Sequence, residues 1–162
     1  MATEQIHIRR AEPHEAAVIA EIWRAAWHDG HDGNVPAELV AARDESSFTT
    51  RAAQRTGDTT VAVVDGEVAG FIMVDGDEVE QVFVAANHRG RGVADVLLEE
   101  AERQVRAAGH PSTWLAVVPG NTRARRFYER HGWVDAGSFT HAALVGNGFV
   151  AVPCRRYVKD FA

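Results

Sequence analysis

The chain has 162 residues, of which 46% are hydrophobic and 25% charged, and its formal net charge is -6. That length sets an expectation of one domain over residues 1–162 with a full core, and the composition excludes disorder for the bulk of the chain. The acidic balance argues against a nucleic-acid binder, which needs a basic surface to displace counterions. It suits a protein that handles cationic amines.

The segment 1–5 has no basic stretch followed by an apolar one, so no signal peptide is expected. Residues 6–11 alternate in polarity and read as a first strand. Pro13 then opens a helix, as proline does in a first turn. Ala16, Ile19, Ile22, Trp23 and Ala26 recur at helical spacing and give it one buried face. It runs out in Trp27-His28-Asp29-Gly30-His31-Asp32-Gly33. Pro36 starts a second, weaker helical stretch to about Arg55, with a break expected near Ser46-Ser47. Two Asp-Gly pairs follow, Asp65-Gly66 and Asp75-Gly76. Between apolar runs they favour type I′ turns, which predicts an antiparallel meander of strands near 60–64, 67–74 and 78–85.

The period then changes. Val93, Ala94, Leu97, Leu98, Ala101, Val105 and Ala108 fall on one helical face that stops at Gly109. A short strand at 113–118 and a helix from Asn121 to Gly132 come next, and two strands around Gly146-Asn147-Gly148 close the chain. The order is that of an α/β domain with a mixed sheet. The unit from 78 to 118 should be a right-handed crossover that makes two strands parallel. No apolar run approaches the roughly 18 residues of a membrane span. Cys154 is the single cysteine, so neither an intrachain disulfide nor a multi-cysteine metal site is expected. A cytoplasmic protein without a membrane partner is the expectation.

Two segments carry chemistry. The first is His88-Arg89-Gly90-Arg91-Gly92-Val93-Ala94, between a strand and an amphipathic helix. Glycines let the backbone turn tightly there, and amides at a helix N-terminus suit a pyrophosphate. It is neither a G-x-G-x-x-G nor a Walker loop. A glycine-rich turn without a ligand and an RNA contact through Arg89 and Arg91 are the competing readings. The second is Asn121-Thr122-Arg123-Ala124-Arg125-Arg126-Phe127-Tyr128, ending in Gly132-Trp133. Asn121 and Tyr128 are about two helical turns apart and share a face. Asn121 also reads as a helix cap, and Tyr128 also reads as a core aromatic. His28 and His31 with Asp29 and Asp32 raise a metal reading. Without a third clear ligand a polar loop is preferred and no metal is expected.

Together these segments resemble the GNAT superfamily of acetyl-CoA-dependent N-acetyltransferases. Arg89-Gly90-Arg91-Gly92-Val93-Ala94 fits the family's [QR]-x-x-G-x-[GA] loop. Asn121, Ala124, Phe127-Tyr128 and Gly132-Trp133 fit its N-x-x-A-x-x-[FL]-Y-x-x-x-G-[FW] pattern. The resemblance implies a three-layer α/β fold with a mostly antiparallel sheet, flanked by helices and splayed at its parallel strand pair. It implies acetyl-CoA as co-substrate, with the pyrophosphate on the loop 89–94 and the pantetheine arm along Val82, Phe83 and Val84 as an added strand. It also implies that Asn121 supports that arm and that Tyr128 approaches the thioester sulfur.

The chemistry explains these parts. An alkyl ammonium of pKa about 10.4 is only about 1 part in 2,500 neutral at pH 7, and only the neutral amine attacks a thioester. A base is therefore useful, as is an N–H donor for the oxyanion, expected from the strand at 82–84. Glu80 is the candidate, since several family members carry a glutamate two residues before the position of Val82. Simple alternation puts Glu80 on the face of Val82 and Val84. Glu78, on that same face, and bulk water are the alternatives. Protein N-terminal alanine acetyltransferases place a glutamate where this chain has Ala116, which argues against that subgroup. Cys154 has no local histidine partner, so a covalent thiol route is disfavoured. The acceptor is expected to be a small-molecule or peptide amine, lined by Trp27, His28, His31 and Phe48. A non-catalytic acyl-CoA sensor is the competing class, and a homodimer stays open.

Overall fold

The computed structural model describes residues 5–161. Residues 1–4, on which the signal-peptide reading largely rests, lie outside it. The elements in chain order are β1 (His7–Arg10), α1 (Ala16–His31), α2 (Ala37–Ala42), α3 (Glu45–Gln54), β2 (Thr59–Val64), β3 (Glu67–Asp75), β4 (Glu78–Val84), α4 (Val93–Ala107), β5 (Ser112–Val117), α5 (Thr122–Arg130), β6 (Val134–Val145) and β7 (Gly148–Asp160). The strands form one sheet in the order β1-β2-β3-β4-β5-β7-β6. Among the described residues only β4 and β5 run parallel, joined by the crossover through α4.

The turns follow from their residues. Asp65 and Gly66 both have positive φ, 51° and 78°, as a type I′ turn requires. The next hairpin differs from expectation. Asp75 pairs with Glu78, so the turn residues are Gly76 and Asp77, and only Gly76 has positive φ, at 60°. The break between α2 and α3 falls at Arg43-Asp44 rather than at Ser46-Ser47. The Asp44 side chain accepts from the Ser47 amide at 2.9 Å and so caps α3.

Two cores flank the sheet. On one face α1, α2 and α3 bury Ile19, Trp23, Leu39 and Phe48 against Val61, Phe71 and Met73. On the other, Leu97, Leu98, Ala101 and Val105 of α4 pack on Ile72, Val79 and Leu115 with Trp133 and Tyr157. Gly70 makes the sheet's close approach to α4 possible. A Cβ there would lie 2.6 Å from the Phe83 carbonyl oxygen and 3.0 Å from Leu97 Cδ1.

A bulge in β4 resets the pattern of faces. Val74 pairs with Val79 but Met73 pairs with Gln81, so Glu80 is the extra residue. Val79 therefore shares the α4 face with Val82 and Val84, while Phe83 and Ala85 face α1 and α3. Strict alternation had put Glu80 with Val82 and Val84, and the bulge overturns that. Glu80 instead meets Arg55, at the end of α3, at 2.7 Å.

Candidate active site

β4 and β5 share a single registered pair, Glu78 with Trp114. Beyond it the strands diverge, and a cavity of about 820 Å³ passes through the sheet at the gap. Phe83, Ala116 and Val118 line it from the α1–α3 face, and Val82, Val117, Ala124 and Tyr128 from the α4–α5 face. The β6–β7 hairpin closes one side with Ala142–Gly146, Val152 and Cys154.

The loop before α4 lies outside this lining. Gly90 and Gly92 have φ of 79° and 81°. The amides of Gly90, Gly92, Val93 and Ala94 have no acceptor among the described residues. Unpaired amides at the positive end of a helix are a site for a phosphate group. Arg89 bonds Asp29, at the end of α1, at 2.7 Å, which ties the loop to that helix. Arg91 Nη1 lies 3.5 Å from His88 Nδ1. The residues present thus fit the pyrophosphate that the resemblance implies.

Asn121 caps α5, accepting from the Ala124 amide at 3.3 Å. Its amide also packs on Gly30 of α1, where a Cβ would come within 2.7 Å of Nδ2. Tyr128 lies among the rings of Phe127, Trp133 and Tyr157, at 5.3, 5.9 and 6.2 Å. Its hydroxyl has no hydrogen-bond partner among the described residues. Burial pushes its pKa up, so the phenol holds its proton at neutral pH.

Both candidate carboxylates line the cavity, but their environments differ. Glu80 Oε2 accepts from Arg55 Nη1 at 2.7 Å. Glu78 has no ion pair among the described residues. Burial first, then the charges of Glu80, Asp75 and Asp77, raise its pKa to about 7 against a smaller opposing effect of Arg156. A carboxylate poised there can both take and release a proton near neutrality.

The four residues expected to line the acceptor site separate. Trp27 and His31 line the cavity, stacked at 4.3 Å with their planes 3° apart. His31 bonds the Trp27 carbonyl at 2.7 Å, and burial lowers its pKa. His28 turns away, held by Asp32 at 2.7 Å and the Arg43 carbonyl at 2.8 Å, and it borders a separate surface hollow. Phe48 is fully buried against Trp23 and lies outside the lining. No group of three or more metal-ligating side chains occurs among the described residues. Cys154 lines the cavity but is buried, which pushes its thiol up to about 11 and leaves little thiolate at pH 7.

Sequence reasoning missed Arg43, Arg51 and His141, which also line the cavity. Arg51 lies three residues after Phe48, and so on the same side of α3. That spacing was the available signal.

The sheet thus opens at the parallel pair β4–β5, and among the described residues the amides before the crossover helix have no acceptor. A family model described as the acetyltransferase (GNAT) family matches residues 17–133, and the chain belongs to that family. The chain is 32% identical over 109 residues to streptothricin acetyltransferase of Streptomyces lavendulae, a match covering 59% of this chain and 58% of that protein. It is 30% identical over 136 residues to peptidyl-lysine N-acetyltransferase YjaB of Salmonella typhimurium, covering 82% and 86%. Among solved structures, a GCN5-related N-acetyltransferase from Rhodopseudomonas palustris superposes with a TM-score of 0.76 at 22% identity, covering 99% of both chains. The PaiA N-acetyltransferase of Thermoplasma acidophilum, solved with coenzyme A, gives 0.68 at 16% identity, covering 97% of this chain and 99% of that one. These likenesses agree with the α/β fold and mixed sheet described above. No helix among the described residues is long and apolar enough to cross a membrane.

Proposed function

We propose that the protein transfers the acetyl group of acetyl-CoA directly to a primary amine, with both substrates bound at once. The observation that carries this reading is the gap between β4 and β5, which connects the two faces of the sheet. Bound acetyl-CoA would supply an activated acyl group as a thioester. On that reading the amides of Gly90, Gly92, Val93 and Ala94 hold the pyrophosphate, with Arg89 and Arg91 adding positive charge. The free backbone edge of Val82, Phe83 and Val84 holds the pantetheine arm, and Asn121 supports it.

The proton steps belong to two side chains. Glu78 takes the proton that the acceptor ammonium must lose, because its pKa of about 7 matches the task. Glu80 is held by Arg55 and acts by raising the pKa of Glu78. An amide of β4 donates to the carbonyl oxygen as it gains charge. Tyr128 donates its phenolic proton to the departing sulfur. The buried thiol of Cys154 is a poor nucleophile, which favours direct attack over a covalent enzyme intermediate. A panel of primary amines incubated with acetyl-CoA, read as free thiol release, tests the reading. Thiol release above the hydrolysis rate is expected with at least one amine. Tight coenzyme A binding with no turnover on any amine would replace the enzyme by a sensor.

A further inference from the structure

The acceptor side of the cavity holds two arginines that have no ion-pair partner among the described residues. Arg43 is buried, and its Nε has no hydrogen-bond partner among the described residues. Arg51 stacks on Trp23, 4.2 Å from the ring centroid, and its Nη1 is buried with no hydrogen-bond partner among the described residues. Neither guanidinium forms an ion pair or side-chain hydrogen bond among the described residues. The stacking is attractive but satisfies no N–H. Buried charge without a partner is costly. Burial lowers the pKa of both, that of Arg51 to about 10 with a further push from Arg43 against an opposing pull of Glu80, so Arg51 remains charged at neutral pH.

The carboxylates in the same cavity form no ion pair with either arginine among the described residues, and Glu80 acts on Arg51 only from a distance. Glu80 is taken by Arg55. Asp44 accepts the Ser47 amide as the cap of α3. The arginines belong to the α2–α3 side of the cavity, while Glu78 and Glu80 belong to β4. The cavity is therefore polarised: the helical wall carries Arg43, Arg51 and Arg55 against Asp44, and the sheet wall carries Glu78 and Glu80. Its remaining lining includes the apolar Trp27, Leu39, Ala143 and Val152.

We propose that the acceptor is a small amino acid whose own carboxylate docks on Arg51 and Arg43 while its amine faces Glu78. This rests on the acetyltransferase reading above and adds the class of amine. Arginine recognises a carboxylate by paired N–H bonds, and a zwitterion matches a cavity polarised in this way. A polycationic amine would set its charge against the same two guanidiniums.

Matched acceptors test this. Initial rates with acetyl-CoA are compared for leucine against leucinamide and phenylalanine against phenylalaninamide, in wild type, Arg51→Met and Arg51→Lys. Wild type is expected to favour the free acids in kcat/KM by about tenfold or more, the scale for a recognised polar group. That preference should collapse in Arg51→Met and survive in part in Arg51→Lys. Thermal midpoints on the same preparations confirm folding. Equal or faster use of the amides by wild type overturns the proposal and leaves acetyl transfer standing. An undiminished acid preference in Arg51→Met overturns it as well. Calorimetric titration of N-acetylleucine decides the subsite without turnover. Saturable binding to wild type that is lost in Arg51→Met upholds an anion site even if every amine fails. Absent binding, or binding equal in both proteins, removes it.

Discussion

Tyr128 carries a hydroxyl that no described residue bonds, at a cavity wall, with its pKa pushed up by burial. Such a phenol acts on the sulfur only as charge develops there, so it stabilises the transition state more than the bound substrate. Tyr128→Phe keeps the ring packing and removes the hydroxyl. Turnover is expected to fall about 10- to 10³-fold with the KM for acetyl-CoA little changed. A lowered thermal midpoint with full turnover per folded molecule would make Tyr128 a core residue only. Glu78 sets the pH dependence. It must be ionised to accept a proton, so activity should be present above about pH 7 and be lost as pH falls through that value. Glu78→Gln should remove this limb and slow turnover by about 10²–10⁴. Glu80→Gln deletes a negative charge that raises the Glu78 pKa, so it should move the limb to lower pH and keep it. Loss of the limb in Glu80→Gln, with Glu78→Gln normal, would make Glu80 the base.

At the scale of elements, the loop before α4 is the sharpest feature. Gly92 has φ of 81°, a left-handed conformation that costs another residue about 1–2 kcal/mol. Gly92→Ala is therefore expected to lower stability modestly, and Gly92→Glu to abolish coenzyme A binding by adding a negative charge beside the amides. Calorimetry on folded protein reads both, and undiminished affinity in Gly92→Glu would remove the phosphate role of the loop. Gly70 answers to a different constraint, the closeness of β3 to both β4 and α4. With the Phe83 carbonyl oxygen 2.6 Å from a new Cβ, Gly70→Ala must push backbone apart. A loss of about 1–3 kcal/mol is expected, the range for overpacking, measured as a drop in denaturation midpoint. A wild-type midpoint would show that the strands separate freely.

Across the whole molecule, the elements were legible where a local rule governs them. The Asp65-Gly66 turn, the α4 face and the Asn121 cap each depend on neighbours in sequence, and each stands where its residues put it. The β4 bulge was hidden because alternation assumes that every residue advances the strand by one face. No residue type at 79–81 announces the skipped pairing, so Glu80 was assigned the wrong face. Phe48 could not be told from a cavity aromatic, since core and site use the same residue on the same helix face. Arg43 and Arg51 were missed, because what surrounds them is distant in sequence: Arg51 stacks on Trp23 of α1. The single pair between β4 and β5 also has a mechanical consequence. The seven strands behave as two plates riveted at Glu78 and Trp114. Amides of β4 that face the gap should exchange with solvent deuterium far faster than those bonded to β3, although β4 sits in the middle of the strand order. Coenzyme A should slow that exchange selectively and leave the β1–β2 end unchanged, turning two loosely joined plates into one stiff sheet.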